Sequence, residues 1–151
     1  MSTTNGKPRY SYEIHICAPT DRVWKALYDG DLTEKYVYGT RFEGKLVKGS
    51  PYAFVGDKSF RVVDGKVLEV VPPKRLVLSW SAHWDAEVEK DRPSRVTYEL
   101  EATDAKMTCL HLTHDEFDNE TATYLETTTG WPRMLSSLKT LLESGASLPV
   151  R

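Results

Sequence analysis

His114 is the residue of this chain best suited to moving a proton or orienting a polar ligand. A neutral imidazole donates through one ring nitrogen, accepts through the other, and titrates near neutrality. Alternation puts Leu110, Leu112 and His114 on one side of a strand, the apolar side, with His114 near the strand's end. Acid or base work there needs a carboxylate or carbonyl to hold the tautomer, and Glu69 and Asp115 are the candidates by pattern. Glu69 precedes Val70-Val71 in a strand where a bulge would switch its face, so its side stays open. The plain alternative for His114 is a strand-end histidine hydrogen-bonded to backbone.

Other reactive residue types form no comparable arrangement. Asp85, Glu87, Glu89, Lys90, Asp91 and Arg92 mix both signs between two strand-like stretches, which reads as a solvated hairpin loop rather than as paired catalytic carboxylates. Residues 83 to 92 are long enough to act as a flap over a pocket mouth, with Trp84 as the apolar contact. Cys17 and Cys109 lack CxxC or Cys/His spacing, and His83 and His111 have no third partner at ligand spacing, so no disulfide and no metal is expected. GxGxxG is absent, and Lys45 to Gly49 is a strand and turn rather than a phosphate loop, so no cofactor is expected either.

The elements that must position these residues follow from periodicity. Arg9 to Cys17 alternates, with Tyr10, Tyr12, Ile14 and Ile16 on one face and Ser11, Glu13 and His15 on the other. Pro19 opens a helix to about Tyr28, with Val23, Trp24 and Leu27 as its apolar face and Gly30 as its stop. Asp31 and Glu34 stand at capping-box spacing for a second short helix over about 32 to 36. Strands are then expected over about 41–48, 51–56, 60–70, 75–82, 93–102 and 106–114, divided by short turns, which implies an antiparallel meander. From Asn119 an acidic lead-in introduces a C-terminal helix, in which Thr127-Thr128-Thr129-Gly130 and Pro132 predict a break or kink near 128–132. Beyond it, Trp131, Leu135, Leu138 and Leu142, joined by Met134 and Leu141, make a wide apolar stripe that ends at Gly145.

One strand, two short helices, a meander and a long C-terminal helix describe an α+β helix-grip fold, a curved antiparallel sheet of about seven strands wrapped around the last helix. "APTDRVWKAL" (18–27), "VLEVVPPKRLVLSW" (67–80), "TCLHLTHDEF" (108–117) and "GWPRMLSSLKTLLESG" (130–145) resemble the START-like, SRPBCC superfamily, and within it the AHSA-type, polyketide-cyclase-like branch. The similarity runs from about Tyr10 to Ser144. It implies the fold and a container shared by lipid and hormone binders and cyclases, rather than one chemistry.

At 151 residues, 40% hydrophobic and 28% charged, the chain has the composition of one ordinary globular domain, placed over 9–145 between tails at 1–8 and 146–151. A net charge of -2 with no basic cluster excludes a nucleic-acid partner. Without a signal-like or membrane-spanning apolar run, no membrane partner is expected and the location is expected to be cytoplasmic. A long helix across a curved sheet leaves a gap lined from both sides. Tyr36, Tyr38, Phe54, Trp80, Tyr98 and Trp131, with Leu112, His114, Leu135 and Leu138, are the residues expected to line it for a small hydrophobic or aromatic molecule. Two other readings stay open: an enzyme of cyclase, dehydratase or hydrolase type with His114 as acid or base, and a chaperone-associated or scaffold module without ligand, for which a homodimer is expected.

Overall fold

A computed structural model of the chain describes residues 7–146. Residues 1–6 of the expected N-terminal tail and 147–151 of the C-terminal one lie outside the described residues. Tyrosine and isoleucine alternating with polar residues form β1 (Tyr10–Ile16), whose outward side chains are exposed and whose last residue is fully buried. α1 (Thr20–Tyr28) begins after Pro19 and buries Val23, Trp24 and Leu27, as the spacing predicts. α2 (Gly30–Tyr36) is capped by Asp29, whose Oδ1 accepts from the amides of Asp31 and Leu32. Gly30 therefore opens the second helix rather than stopping the first, and Asp31 and Glu34 instead take Arg41 at 2.7 and 3.3 Å.

The strands β2 (Arg41–Gly44), β3 (Pro51–Val55), β4 (Arg61–Val71), β5 (Arg75–Ala82), β6 (Ser94–Asp104) and β7 (Met107–Asp115) follow as a meander. With β1 returning beside β7 they form a seven-stranded antiparallel sheet in the order β1-β7-β6-β5-β4-β3-β2. Its inner face carries Leu76, Leu78 and Trp80, then Val96, Tyr98 and Leu100, then Leu110, Leu112 and His114, all buried, while Glu99, Glu101 and His111 point to solvent. The sheet bends where β4 meets β5. A Cβ on Gly65 would lie 2.4 Å from the Ser79 carbonyl oxygen, so only glycine permits the approach there. A bulge between Val67 and Glu69 turns Glu69 outward, onto an Arg75 that also holds Glu99.

α4 (Ala122–Ser144) lies across the inner face, capped by the Thr121 hydroxyl and closed by Gly145 in the left-handed region at φ 83°. Of the break or kink expected near 128–132, the break does not occur: the helix runs on through Pro132. Pro132 gives the Thr128 carbonyl no amide, but the Tyr12 hydroxyl donates to that carbonyl at 2.7 Å. The three threonine hydroxyls return to carbonyls of the preceding turn, Thr127 to Thr123, Thr128 to Leu125 and Thr129 to Glu126. The polar stretch is thus satisfied within the helix and by β1. Among the described residues no helix is long and apolar enough to cross a membrane.

Candidate ligand site

Between the first half of α4, the loop after α2 and strands β3 to β5 lies a cavity of about 390 Å³, within the roughly 300–1,000 Å³ common for small-molecule sites. Phe54, Trp80 and Trp131 form its ring-lined wall, with Trp80 and Trp131 ring centroids 5.3 Å apart and Phe54 and Trp80 5.9 Å apart. Val37, Val62, Val63 and Met134 add aliphatic surface, and half-exposed Tyr38 and Trp84 stand at the mouth. Tyr38 reaches across to α4, its hydroxyl 3.5 Å from the Gly130 carbonyl.

Most polar groups of the lining are already paired. Thr40 donates to the Val37 carbonyl at 2.6 Å, Thr127 to Thr123 and Thr129 to Glu126. The Glu126 carboxylate accepts the Trp84 indole N–H at 2.8 Å. Two donors remain. Trp80 Nε1 is the one buried side-chain nitrogen or oxygen without a hydrogen-bond partner among the described residues, and Arg133 has neither a hydrogen bond nor an ion pair among them.

His114 sits behind this wall rather than in it. Fully buried, it accepts at Nδ1 from the Trp131 indole N–H at 3.0 Å, and its Nε2 lies 2.8 Å from the Ser94 hydroxyl. An indole nitrogen only donates, so Nδ1 carries no proton and the hydrogen is on Nε2, directed at Ser94. Ser94 in turn donates to the Trp80 carbonyl at 3.3 Å. Burial lowers the imidazole pKa from its ordinary 6.5 to about 3, so the ring is neutral. The Tyr10 hydroxyl lies 3.3 Å from Nδ1 and donates to Thr127, which ties β1 to α4 at the same place. Neither expected carboxylate reaches the ring: Glu69 is on the outer face, and Asp115 holds Arg95 by two hydrogen bonds of 2.9 and 2.7 Å. The partners are side chains, not the backbone of the plain alternative.

The segment 83–92 is more ordered than a solvated loop. It contains a short helix, α3 (Ala86–Glu89), capped by Asp85 and anchored by buried Val88. Asp91 accepts from both the amide and the hydroxyl of Thr123 at the start of α4. His83 lies between Glu89 on one ring nitrogen and Asp64 on the other, each 2.8 Å away. Desolvation lowers its pKa, but the hydrogen bonds to the two carboxylates outweigh it and the net shift is upward. The segment is therefore clamped to β4 on one side and to α4 on the other, with Trp84 set at the cavity.

Of the residues expected around the gap, Tyr38, Phe54, Trp80 and Trp131 line it. Tyr36, Tyr98, Leu112, His114, Leu135 and Leu138 are buried outside the lining. The Tyr36 hydroxyl is spent on the Ala26 carbonyl at 2.7 Å, and Tyr98 packs edge-on against Trp131. Sequence reasoning missed Thr127, Met134 and Arg133. Their signal was present: Met134 stands on the apolar stripe three after Trp131 without being assigned to the gap, and Thr127 falls four before Trp131 on the same helix face, where the interruption expected at the threonines hid the continuity. Pairing also joins residues that spacing keeps apart. On the outer face of β1 and β7, Glu13, His15 and Cys109 bring a carboxylate, an imidazole and a thiol within 4.8 Å of one another.

The family model for activator of Hsp90 ATPase homolog 1-like proteins matches residues 17–143. Among solved structures, the chain is similar to protein MLL2253 from Mesorhizobium loti at 28% identity and TM-score 0.75, over 90% of this chain and 97% of that one. It is also similar to CalU16 from Micromonospora echinospora, at 24% identity and TM-score 0.73 over 95% of this chain and 84% of that one. The Aha1 dimer from Colwellia psychrerythraea aligns at 23% identity and TM-score 0.73 over 91% and 98%. The last two share the fold. No curated protein matches the sequence.

Proposed function

The chain belongs to the family of activator of Hsp90 ATPase homolog 1-like proteins, and from that premise we propose that it binds a small hydrophobic or aromatic molecule in the cavity between α4 and the sheet. The observation that carries this reading is the unfilled, ring-walled space of about 390 Å³ in a fold whose inner face is otherwise packed. Burying about 200 Å² of apolar ligand at about 25 cal/mol per Å² gives a gross term near 5 kcal/mol before the cost of ordering, enough for modest affinity. An enzyme working through His114 has less support, because both ring nitrogens are committed to Trp131 and Ser94 and the ring is neutral.

Native mass spectrometry of the purified protein tests for a co-purifying small molecule, and quenching of the four tryptophans on adding candidates tests for binding. A retained ligand, or saturable quenching, is the expected result. A clean apo mass with no quenching across a broad apolar library would overturn the reading. It would favour a chaperone-associated module without ligand, for which the family description and the similarity to an Aha1 dimer are the support. That module is recognised by chaperone pull-down and a dimeric mass in solution.

A further inference from the structure

We propose that Glu13, His15 and Cys109 form a site for a zinc-class divalent cation, on the opposite face of the sheet from the cavity and independent of what fills it. Along the chain these residues show no ligand spacing. The return of β1 beside β7 puts them together.

Glu13 and His15 stand two residues apart in β1 and so share a face, the exposed one. Register sets Cys109 of β7 directly opposite His15, and His111 opposite Glu13. The result is a carboxylate, an imidazole and a thiol whose ligand atoms all lie within 4.8 Å of one another. Cys109, 8% exposed, forms the floor of the group, and exposed Glu13 and His15 form its walls. Zinc bonds of about 2.0 to 2.3 Å place tetrahedral ligand atoms roughly 3.3 to 3.7 Å apart. Cys109 Sγ and a Glu13 carboxylate oxygen already stand 3.4 Å apart. The His15 imidazole has no hydrogen bond or ion pair among the described residues, so turning onto the ion breaks no contact.

A thiolate with an imidazole selects zinc-like ions over magnesium and calcium, which take oxygen ligands. The competing use of a thiol beside a histidine is a nucleophilic cysteine, and that needs a thiolate in the free protein. Here the thiol donates to Glu13, and burial, with Glu13 and Glu101 beside it, raises its pKa, so it keeps its proton. A divalent cation replaces that proton: the S–H bond breaks, the sulfur–metal bond forms, and the proton leaves to solvent. Glu13 and Glu101, which disfavour a lone thiolate, then favour the cation. Lys139, whose ammonium stands 2.6 Å from the His15 backbone carbonyl, is paired with Glu143 at 2.7 Å. Three protein ligands leave the fourth position of a tetrahedral ion to water.

Calorimetric titration of the reduced, tag-free protein with zinc chloride at neutral pH should show saturable binding of one ion per chain, undiminished by excess magnesium. Cobalt(II) in the same site should give a thiolate-to-metal charge-transfer band in the near ultraviolet and the visible bands of a tetrahedral ion. His15→Ala and Glu13→Gln, both at exposed positions, should each weaken zinc binding at least about tenfold, and Cys109→Ser should remove the charge-transfer band. Cys17→Ser, at the other thiol of the chain, should change neither. Absence of saturable zinc binding, a cobalt spectrum without the thiolate band, or zinc affinity unchanged in His15→Ala would overturn the site. Since His15 is exposed, that last arm decides the matter even where Cys109→Ser fails to fold.

Discussion

At His114 the tautomer follows from its neighbours, because Trp131 can only donate to Nδ1. The imidazole serves as a relay of direction, from the Trp131 indole through Ser94 to the Trp80 backbone, and so holds the two tryptophans of the cavity wall in register. Its folded pKa of about 3 lies below the ordinary 6.5, so the neutral ring contributes stability that is present above pH 6.5 and lost as the pH falls toward 3. Complete loss amounts to a destabilisation on the order of 5 kcal/mol. Nitrogen NMR of the imidazole should show the Nε2–H tautomer unchanged from pH 8 down to pH 4.5. A ring that titrates near 6.5 in the folded protein would contradict the assignment.

At the scale of elements, two devices set the shape of the site. One is the repair of α4 at Pro132 by Tyr12. Tyr12→Phe should cost about 1 kcal/mol by leaving the Thr128 carbonyl without a donor. Pro132→Ala supplies an amide to the same carbonyl, so in that background Tyr12→Phe should cost close to nothing. Urea denaturation of the four proteins measures the coupling, and additive effects would show that the carbonyl is not the shared element. The other device is the clamp of His83 between Asp64 of β4 and Glu89 of α3. Because the folded pKa of His83 is raised, its stabilisation is complete below the unfolded value near 6.5 and is lost as the pH rises through the folded value. Hydrogen exchange at Val88, corrected for intrinsic rate, should therefore be faster above that titration than below it, and His83→Asn should remove the difference.

At the scale of the whole molecule, the sheet is packed on its β1, β7 and β6 side and hollow on its β3 to β5 side. Val63 and Leu138 sample the two regions: both are buried, but only Val63 borders the cavity. Val63→Phe should change stability by less than about 1 kcal/mol, because the added ring enters empty space, and should lower ligand affinity at least about tenfold. Leu138→Ala should cost about 2–5 kcal/mol as a core cavity and leave the affinity of the remaining folded protein nearly unchanged. Thermal denaturation and ligand titration of both variants separate packing from binding. Equal effects on binding would place the ligand elsewhere.

Local pattern alone determined the elements of this protein and the faces they present. Alternation placed Leu112 and His114 inward, Gly145 ended the last helix, and turn residues divided the meander, because side-chain direction in a strand or helix depends only on nearby residues. Tertiary structure decided what local pattern does not contain. The Tyr12 hydroxyl that keeps α4 whole comes from 116 positions away in the chain. The side of Glu69 turned on one bulged residue, and the partners of His114 came from strands and a helix remote in sequence. Which aromatic residues fill the core and which border open space depends on the curvature of the sheet against α4. That curvature is a sum of long-range contacts, and for that reason Tyr98 and Trp80 looked equivalent in sequence and are not in the fold.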